Sequence, residues 1–72
     1  MSILRRERLR RKLTLSEVGR VLGTDATNVL RYERGTQRPA VGRAVSLARL
    51  LGISLEQVYG VERQLAKRRV HG

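Results

Sequence analysis

The feature that most constrains this fold is a stretch from Asp25 to Gly35 that carries its own helix start and stop. An aspartate can accept hydrogen bonds from the free amides of a first turn, and a glycine can adopt the left-handed conformation that ends a helix. At about 100° per residue, Val29, Tyr32 and Glu33 fall on one side of the predicted helix. We interpret that side as the core face, with Tyr32 buried.

The opposite side of this helix is polar and cationic. It carries Thr27, Arg31 and Arg34, with Asn28 at its margin. Arginine and asparagine are the residue types that make paired hydrogen bonds to guanine and adenine edges in the DNA major groove. Most surface helices are also polar, so this face indicates a recognition helix only in combination with the segment that precedes it.

That preceding segment predicts a second short helix. Thr14 and Glu17 have the spacing of a capping box, and Gly23 is placed to end the helix. Apolar residues recur between them at helical spacing: Val18, Val21 and Leu22. A turn of about three residues, Gly23 to Asp25, then separates the two helices, which is the geometry of a helix-turn-helix.

The charge of the chain favours a polyanionic partner. Sixteen Lys and Arg against six Asp and Glu leave a net charge of +10 and a pI near 11.8. Duplex DNA is the densest common polyanion, while RNA and an anionic membrane are the alternatives. The basic helices lack the wide apolar face with aromatic residues that binds a bilayer surface, so we expect no membrane partner.

Residues for catalysis or metal binding are sparse. The chain has no cysteine, and its one histidine, His71, is next to the last residue. The acidic residues are better explained as caps, ion pairs and solvated charges, so the sequence predicts no enzyme, no metal and no cofactor. No apolar run is long enough for a membrane span or a signal-peptide core, which favours the cytoplasm.

A longer pattern runs from about residue 4 to residue 59. It consists of Leu13, Thr14, Glu17, Val18, Gly19, Leu22, Gly23, Val29, Tyr32, Glu33, Arg34, Gly35, Pro39, Leu47, Ala48, Leu51, Gly52, Ile53, Ser54 and Leu55. This pattern resembles the phage-repressor-like helix-turn-helix family, that is, the XRE family of lambda-repressor and Cro type proteins. The resemblance implies an all-α, compact five-helix lambda-repressor-like DNA-binding domain over residues 1–60.

Helix one is predicted over residues 1–12, where the chain departs from the family. Lys12 replaces a glycine of the first turn, and Glu7 replaces a frequent leucine. A thin apolar stripe is predicted from Ile3, Leu4, Leu9 and Leu13. The resemblance also pairs Arg8 with Glu33, and we expect a partly buried ion pair that is structural.

Two more helices complete the predicted domain. Helix four is expected over residues 41–51, with an apolar face of Val41, Ala44, Val45, Leu47, Ala48 and Leu51. Ser54 and Gln57 have capping-box spacing at the start of helix five, with Leu55 and Val58 pointing inward. Residues 61–72 form a basic C-terminal extension, for which a helical dimer element and a frayed tail are equal alternatives.

The resemblance implies which residues contact DNA. Those predicted to read base edges are Ala26, Thr27, Asn28 and Arg31, with Ala26 close enough to touch a thymine methyl group. Those predicted to contact the backbone are Thr14, Leu15, Arg34, Thr36, Gln37, Arg38 and Arg43. Leu15 stands where many relatives have glutamine, so core packing and a thymine-methyl contact are its alternatives.

Together these features predict a small transcriptional regulator that binds an inverted-repeat operator in double-stranded DNA as a homodimer. A phage or plasmid type of repressor that occupies a promoter is the simplest mechanism, and activation through RNA polymerase is open. The expected location is the nucleoid in the cytoplasm of a bacterial or phage-infected cell. The alternatives are an antitoxin-like or coactivator-like module with a protein partner, and a non-specific nucleic-acid binder.

Overall fold

A computed structural model of the protein describes residues 2–60, and this part of the chain is helical without strands. The helices are α1 (Ile3–Arg10), α2 (Leu15–Leu22), α3 (Ala26–Arg34), α4 (Val41–Leu51) and α5 (residues 55–60). The prediction of an all-α, five-helix fold is confirmed. The predicted C-terminal extension, residues 61–72, lies outside the described residues.

The core is formed by one small cluster to which all five helices contribute. Its buried apolar members are Leu4, Val18, Leu22, Val29, Tyr32, Ala44, Leu47, Leu51 and Val58. Tyr32 is the one aromatic residue among them. The angle count along α3 is confirmed, since Val29, Tyr32 and Glu33 are its buried residues. That face fixes α3 against the other helices and leaves the opposite face outside.

The predicted helix caps are present. The hydroxyl of Thr14 accepts from the Glu17 amide at 3.0 Å, and the Glu17 carboxylate accepts from the Thr14 amide at 2.8 Å. Ser54 and Gln57 form the same reciprocal pair before α5. Asp25 accepts from the main-chain amide of Asn28 at 2.8 Å. Each cap satisfies helix amides that would otherwise lack a partner.

Helix α1 is shorter than the sequence indicated, because Lys12 does not continue it. Lys12 has a φ of 57°, the left-handed conformation that a glycine adopts more easily. The chain thereby keeps the tight turn of the family pattern without its glycine. The predicted inward position of Leu9 is wrong, since this side chain is 45% exposed.

Three other residues of the apolar patterns are exposed, and the predicted inner positions of Val41 and Leu55 are wrong. Val21 is 58% exposed, Val41 is 68% exposed and Leu55 is 40% exposed. Val21 lies about 60° around α2 from Val18, on the side away from Leu22. Val41 and Leu55 begin their helices, where the first turn extends past the core.

Glu7 is buried where the family pattern has leucine. Its carboxylate accepts from the Arg11 guanidinium at 2.7 Å, with Arg10 and Arg6 each at 3.7 Å. The hydrogen bond from Arg11, aided by the other two charges, holds the pKa of Glu7 below its usual value of 4.5. The charges of the arginines thus offset the desolvation cost of burying the Glu7 carboxylate.

We predict that the Glu17 cap makes stability depend on pH. Hydrogen bonds from Thr14 lower the pKa of Glu17 below 4.5, so its stabilising effect is present above that pH and is lost as the pH falls through the lower, folded-state value. Glu17→Gln should therefore melt at a lower temperature than the wild type at pH 7, with a narrower difference at pH 3. Thermal melts by circular dichroism measure this; a difference that stays constant from pH 7 to pH 3 would contradict it.

Candidate nucleic-acid interface

Helices α2 and α3 meet at a very tight turn. A Cβ atom added to Gly19 would lie 2.8 Å from the Thr24 carbonyl oxygen and 3.0 Å from the Asp25 carbonyl carbon. The Thr24 amide donates to the Gly19 carbonyl at 2.8 Å, and Gly23 ends α2 with a φ of 75°. Gly19 therefore allows the close approach that fixes the angle between the two helices.

The outer face of α3 presents the residues predicted to read DNA bases. Thr27 and Arg31 are exposed, whereas Ala26 and Asn28 are half-buried. Arg34 is exposed on the same side, one turn further along. The polar face predicted from helical spacing is therefore a real surface, and it lies directly after the turn that joins α2 to α3.

Asn28 has a contact within the turn. Its Nδ2 donates to the Thr24 hydroxyl at 2.9 Å. An asparagine amide has two hydrogens on Nδ2 and an acceptor oxygen, so this bond still leaves one donor and one acceptor. Those two groups are the pair that an adenine edge requires. The contact with Thr24 thus orients the amide without using the groups that would read a base.

The segment after α3 is braced against α3 and α5. Both the amide and the hydroxyl of Thr36 donate to the Arg31 carbonyl, at 3.0 and 3.3 Å. The Arg38 guanidinium lies over the Tyr59 ring, 4.5 Å from its centre, and the Tyr59 hydroxyl donates to the Pro39 carbonyl at 3.1 Å. These contacts hold Thr36 and Arg38, both exposed, just after the end of α3.

Arg43 links α4 to the helix-turn-helix. Its guanidinium donates to the Tyr32 hydroxyl and to the Gly23 carbonyl, both at 3.3 Å. The sequence predicted only a DNA backbone contact for this residue. The structure gives it protein contacts as well, which place a positive charge beside the turn between α2 and α3.

The Arg8 and Glu33 side chains form the ion pair expected from the sequence. The Nε of Arg8 donates to Oε2 of Glu33, and Nη2 donates to Oε1 at 3.2 Å. Nη1 of Arg8 donates to the Leu13 carbonyl at 2.9 Å, and Arg8 and Glu33 are 8% and 5% exposed. The pair joins α3 to α1 and to the loop before α2, and so it supports the polar face of α3 from behind.

Sequence reasoning missed two residues beside the interface. Tyr59 braces Arg38, a contact that spans more than twenty positions and that no local pattern indicates. Arg5 lines a groove next to Leu15 and Arg34. The density of arginines in the first helix was visible in the sequence, but only the packing of α1 against α3 distinguishes Arg5 from its neighbours.

Comparison with protein families agrees with this geometry. A family model described as Helix-turn-helix matches residues 4–58. The chain belongs to the XRE-type helix-turn-helix family. Neither the curated proteins nor the solved structures gave a match.

As an XRE-type protein, the chain is a transcription regulator that binds double-stranded DNA. Within residues 2–60, no group of three or more His, Cys, Asp or Glu is placed to hold a metal ion. None of the helices described is long and apolar enough to cross a membrane.

Proposed function

We propose that this regulator is a repressor that binds an inverted-repeat operator as a homodimer and blocks a promoter by occupying it. The observation that carries the proposal is the outer face of α3, where exposed Thr27 and Arg31 lie beside half-buried Asn28 beyond the turn. These residue types can form the base-edge contacts that discriminate one sequence from another. The net charge of +10 adds a sequence-independent attraction to the same partner.

In this proposal the interface has two kinds of contact. Ala26, Thr27, Asn28 and Arg31 read base edges in the major groove. The backbone phosphates are held by Thr14, Leu15, Arg34, Thr36, Gln37, Arg38 and Arg43. Thr14 caps α2 through its oxygen and keeps its hydroxyl hydrogen for a phosphate. Leu15 contributes its main-chain amide at the start of α2, where helix amides favour anions.

The repressor acts, in this proposal, on the nucleoid of a bacterial or phage-infected cell, without an enzymatic step. Operators with two-fold symmetry are read by two-fold dimers, with half-sites about one helical turn apart. Residues 61–72 lie outside the described part of the chain, and the proposal that they form a basic extension to the domain of residues 1–60 rests on the sequence.

Selection from a random duplex library tests this function. The protein should enrich an inverted repeat and bind it at least about 10³-fold more tightly than random duplex DNA. Titration at two salt concentrations separates specific from non-specific binding. If all sequences bind alike and binding disappears as the salt concentration rises, the operator proposal is wrong. Binding of a protein partner then becomes the better proposal for the function.

Two arginine substitutions should separate base reading from backbone binding. Arg31→Ala should cost about 1 to 3 kcal/mol on the selected operator and relax the preference at one base pair. Arg38→Ala should weaken binding to all sequences alike. It should also reduce the slope of log affinity against log salt by about one. Fluorescence anisotropy on operator and random duplexes measures both. An equal loss on the two duplexes would exclude base reading by Arg31.

A further inference from the structure

A groove of about 440 Å³ lies between α1, the start of α2 and the second half of α3. The paired Arg8 and Glu33 side chains are buried at its base. Leu15 and Leu30, both half-buried, line it with apolar surface. Arg5 is exposed at its margin. Arg34 is exposed there too, so the groove combines apolar walls with a cationic edge.

The groove carries a positive charge that is not balanced within it. Glu33 is its acidic residue, and Glu33 is already paired with Arg8. Within residues 2–60, neither Arg5 nor Arg34 has a carboxylate within 4.0 Å. Two guanidinium groups thus face solvent beside aliphatic carbon, which suits an anionic ligand that also has apolar surface.

The position of the groove indicates which anion this is. Leu15 is the first residue of α2. On α3, Leu30 lies at the edge of the face that carries Thr27 and Arg31, and Arg34, one turn after Leu30, lies on that face. The groove therefore opens beside the proposed base-reading surface. A DNA strand next to that surface has alternating deoxyribose carbons and phosphate charges, which match the leucines and the arginines respectively.

We propose that this groove binds a sugar-phosphate segment of the DNA whose bases face α3, with Arg5 as a phosphate-binding residue. This inference rests on the proposed function and adds α1 to the DNA-binding surface. Leu15 and Leu30 contact deoxyribose, and Arg5 and Arg34 hold phosphates on either side of it. The segment lies on the α1 side of the recognition helix, apart from the contacts of the loop that contains Thr36 and Arg38.

Arg5→Ala tests the inference, and Arg49→Ala is the matched control. Arg49 is exposed in the last turn of α4, a helix that contributes no residue to the groove. Arg5→Ala keeps the main-chain amide that bonds Ser2, so both variants should melt near the wild-type temperature. Arg5→Ala should reduce the slope of log affinity against log salt by about one on operator and random duplexes alike, and Arg49→Ala should leave it unchanged.

Single neutral methylphosphonates placed along the selected operator locate the contact. A methylphosphonate at the phosphate that contacts Arg5 should lower the affinity of the wild-type protein. The same substitution should leave the affinity of Arg5→Ala unchanged, and only at that position. The groove does not bind the backbone if Arg5→Ala and Arg49→Ala give the same slope of log affinity against log salt. The same conclusion follows if every methylphosphonate lowers the affinity of Arg5→Ala as much as that of the wild type. The proposed function is judged separately, because the wild-type protein alone must enrich an operator.

Discussion

Replacing Glu33 by alanine should lower the free energy of unfolding by about 3 to 5 kcal/mol, because it leaves the Arg8 guanidinium buried without its acid. Nε and Nη2 of Arg8 would lose their acceptors, and only the Nη1 bond to the Leu13 carbonyl would remain. At roughly 0.05 to 0.15 kcal/mol per residue, a chain of 72 residues is stable by about 4 to 11 kcal/mol in total. The variant should therefore lose a large share of its stability.

Urea denaturation followed by circular dichroism measures this loss, with Glu56→Ala as the control. Glu56 is an exposed acid on α5, and its removal should change stability by less than about 0.5 kcal/mol. A double variant, Arg8→Met with Glu33→Leu, should recover most of the loss, because an apolar pair leaves no charge stranded. If Glu33→Ala unfolds at the wild-type urea concentration, the pair does not stabilise the fold.

Helix boundaries were predictable wherever the deciding interaction is local. The pairs Thr14 with Glu17 and Ser54 with Gln57 lie three residues apart, so a capping box can be read from the sequence. The end of α1 could not be placed in this way, because the left-handed conformation falls on Lys12 instead of a glycine.

Burial was harder to predict, because it depends on which helix faces an apolar residue. Val41 continues the apolar pattern of α4 and Leu9 that of α1, yet both are exposed in the structure. Helical spacing defines an apolar face. It does not show how much of that face the other helices cover. The burial of α3 was predicted correctly because Tyr32, Val29 and Glu33 lie within about 100° of one another, opposite the polar residues Thr27, Arg31 and Arg34.

The candidate site was predictable to a similar extent. The exposed polar face of α3 follows from the 3.6-residue period. The contacts that brace this face could not be predicted from that period. Arg43 bonds to Gly23 across twenty positions, and Arg38 contacts Tyr59 only once α5 has packed. Arg5 is one of several basic residues on α1, and only its place beside Arg34 singles it out.

Gly19→Val should destabilise the fold by about 3 kcal/mol, the upper part of the usual range for overpacking. A single methyl at this position would already lie 2.8 Å from the Thr24 carbonyl oxygen, and the obstacle is backbone, which cannot rotate away. Gly19→Ala should therefore give a smaller loss, with a shift of the turn by a few tenths of an ångström. Gly42→Val is the control, because a Cβ at Gly42 in α4 would meet nothing within 4 Å.

The Gly19 substitutions should weaken operator binding by more than their loss of stability alone would explain. Gly19 sets the approach of α2 to the start of α3, so added bulk tilts the base-reading face relative to the amides at the start of α2. Base contacts need accurate geometry, whereas phosphate attraction tolerates small shifts. Gly19→Ala should stay folded, lose affinity for the selected operator and keep its affinity for random duplex DNA. Equal losses on both duplexes would show that the angle between α2 and α3 does not determine specificity.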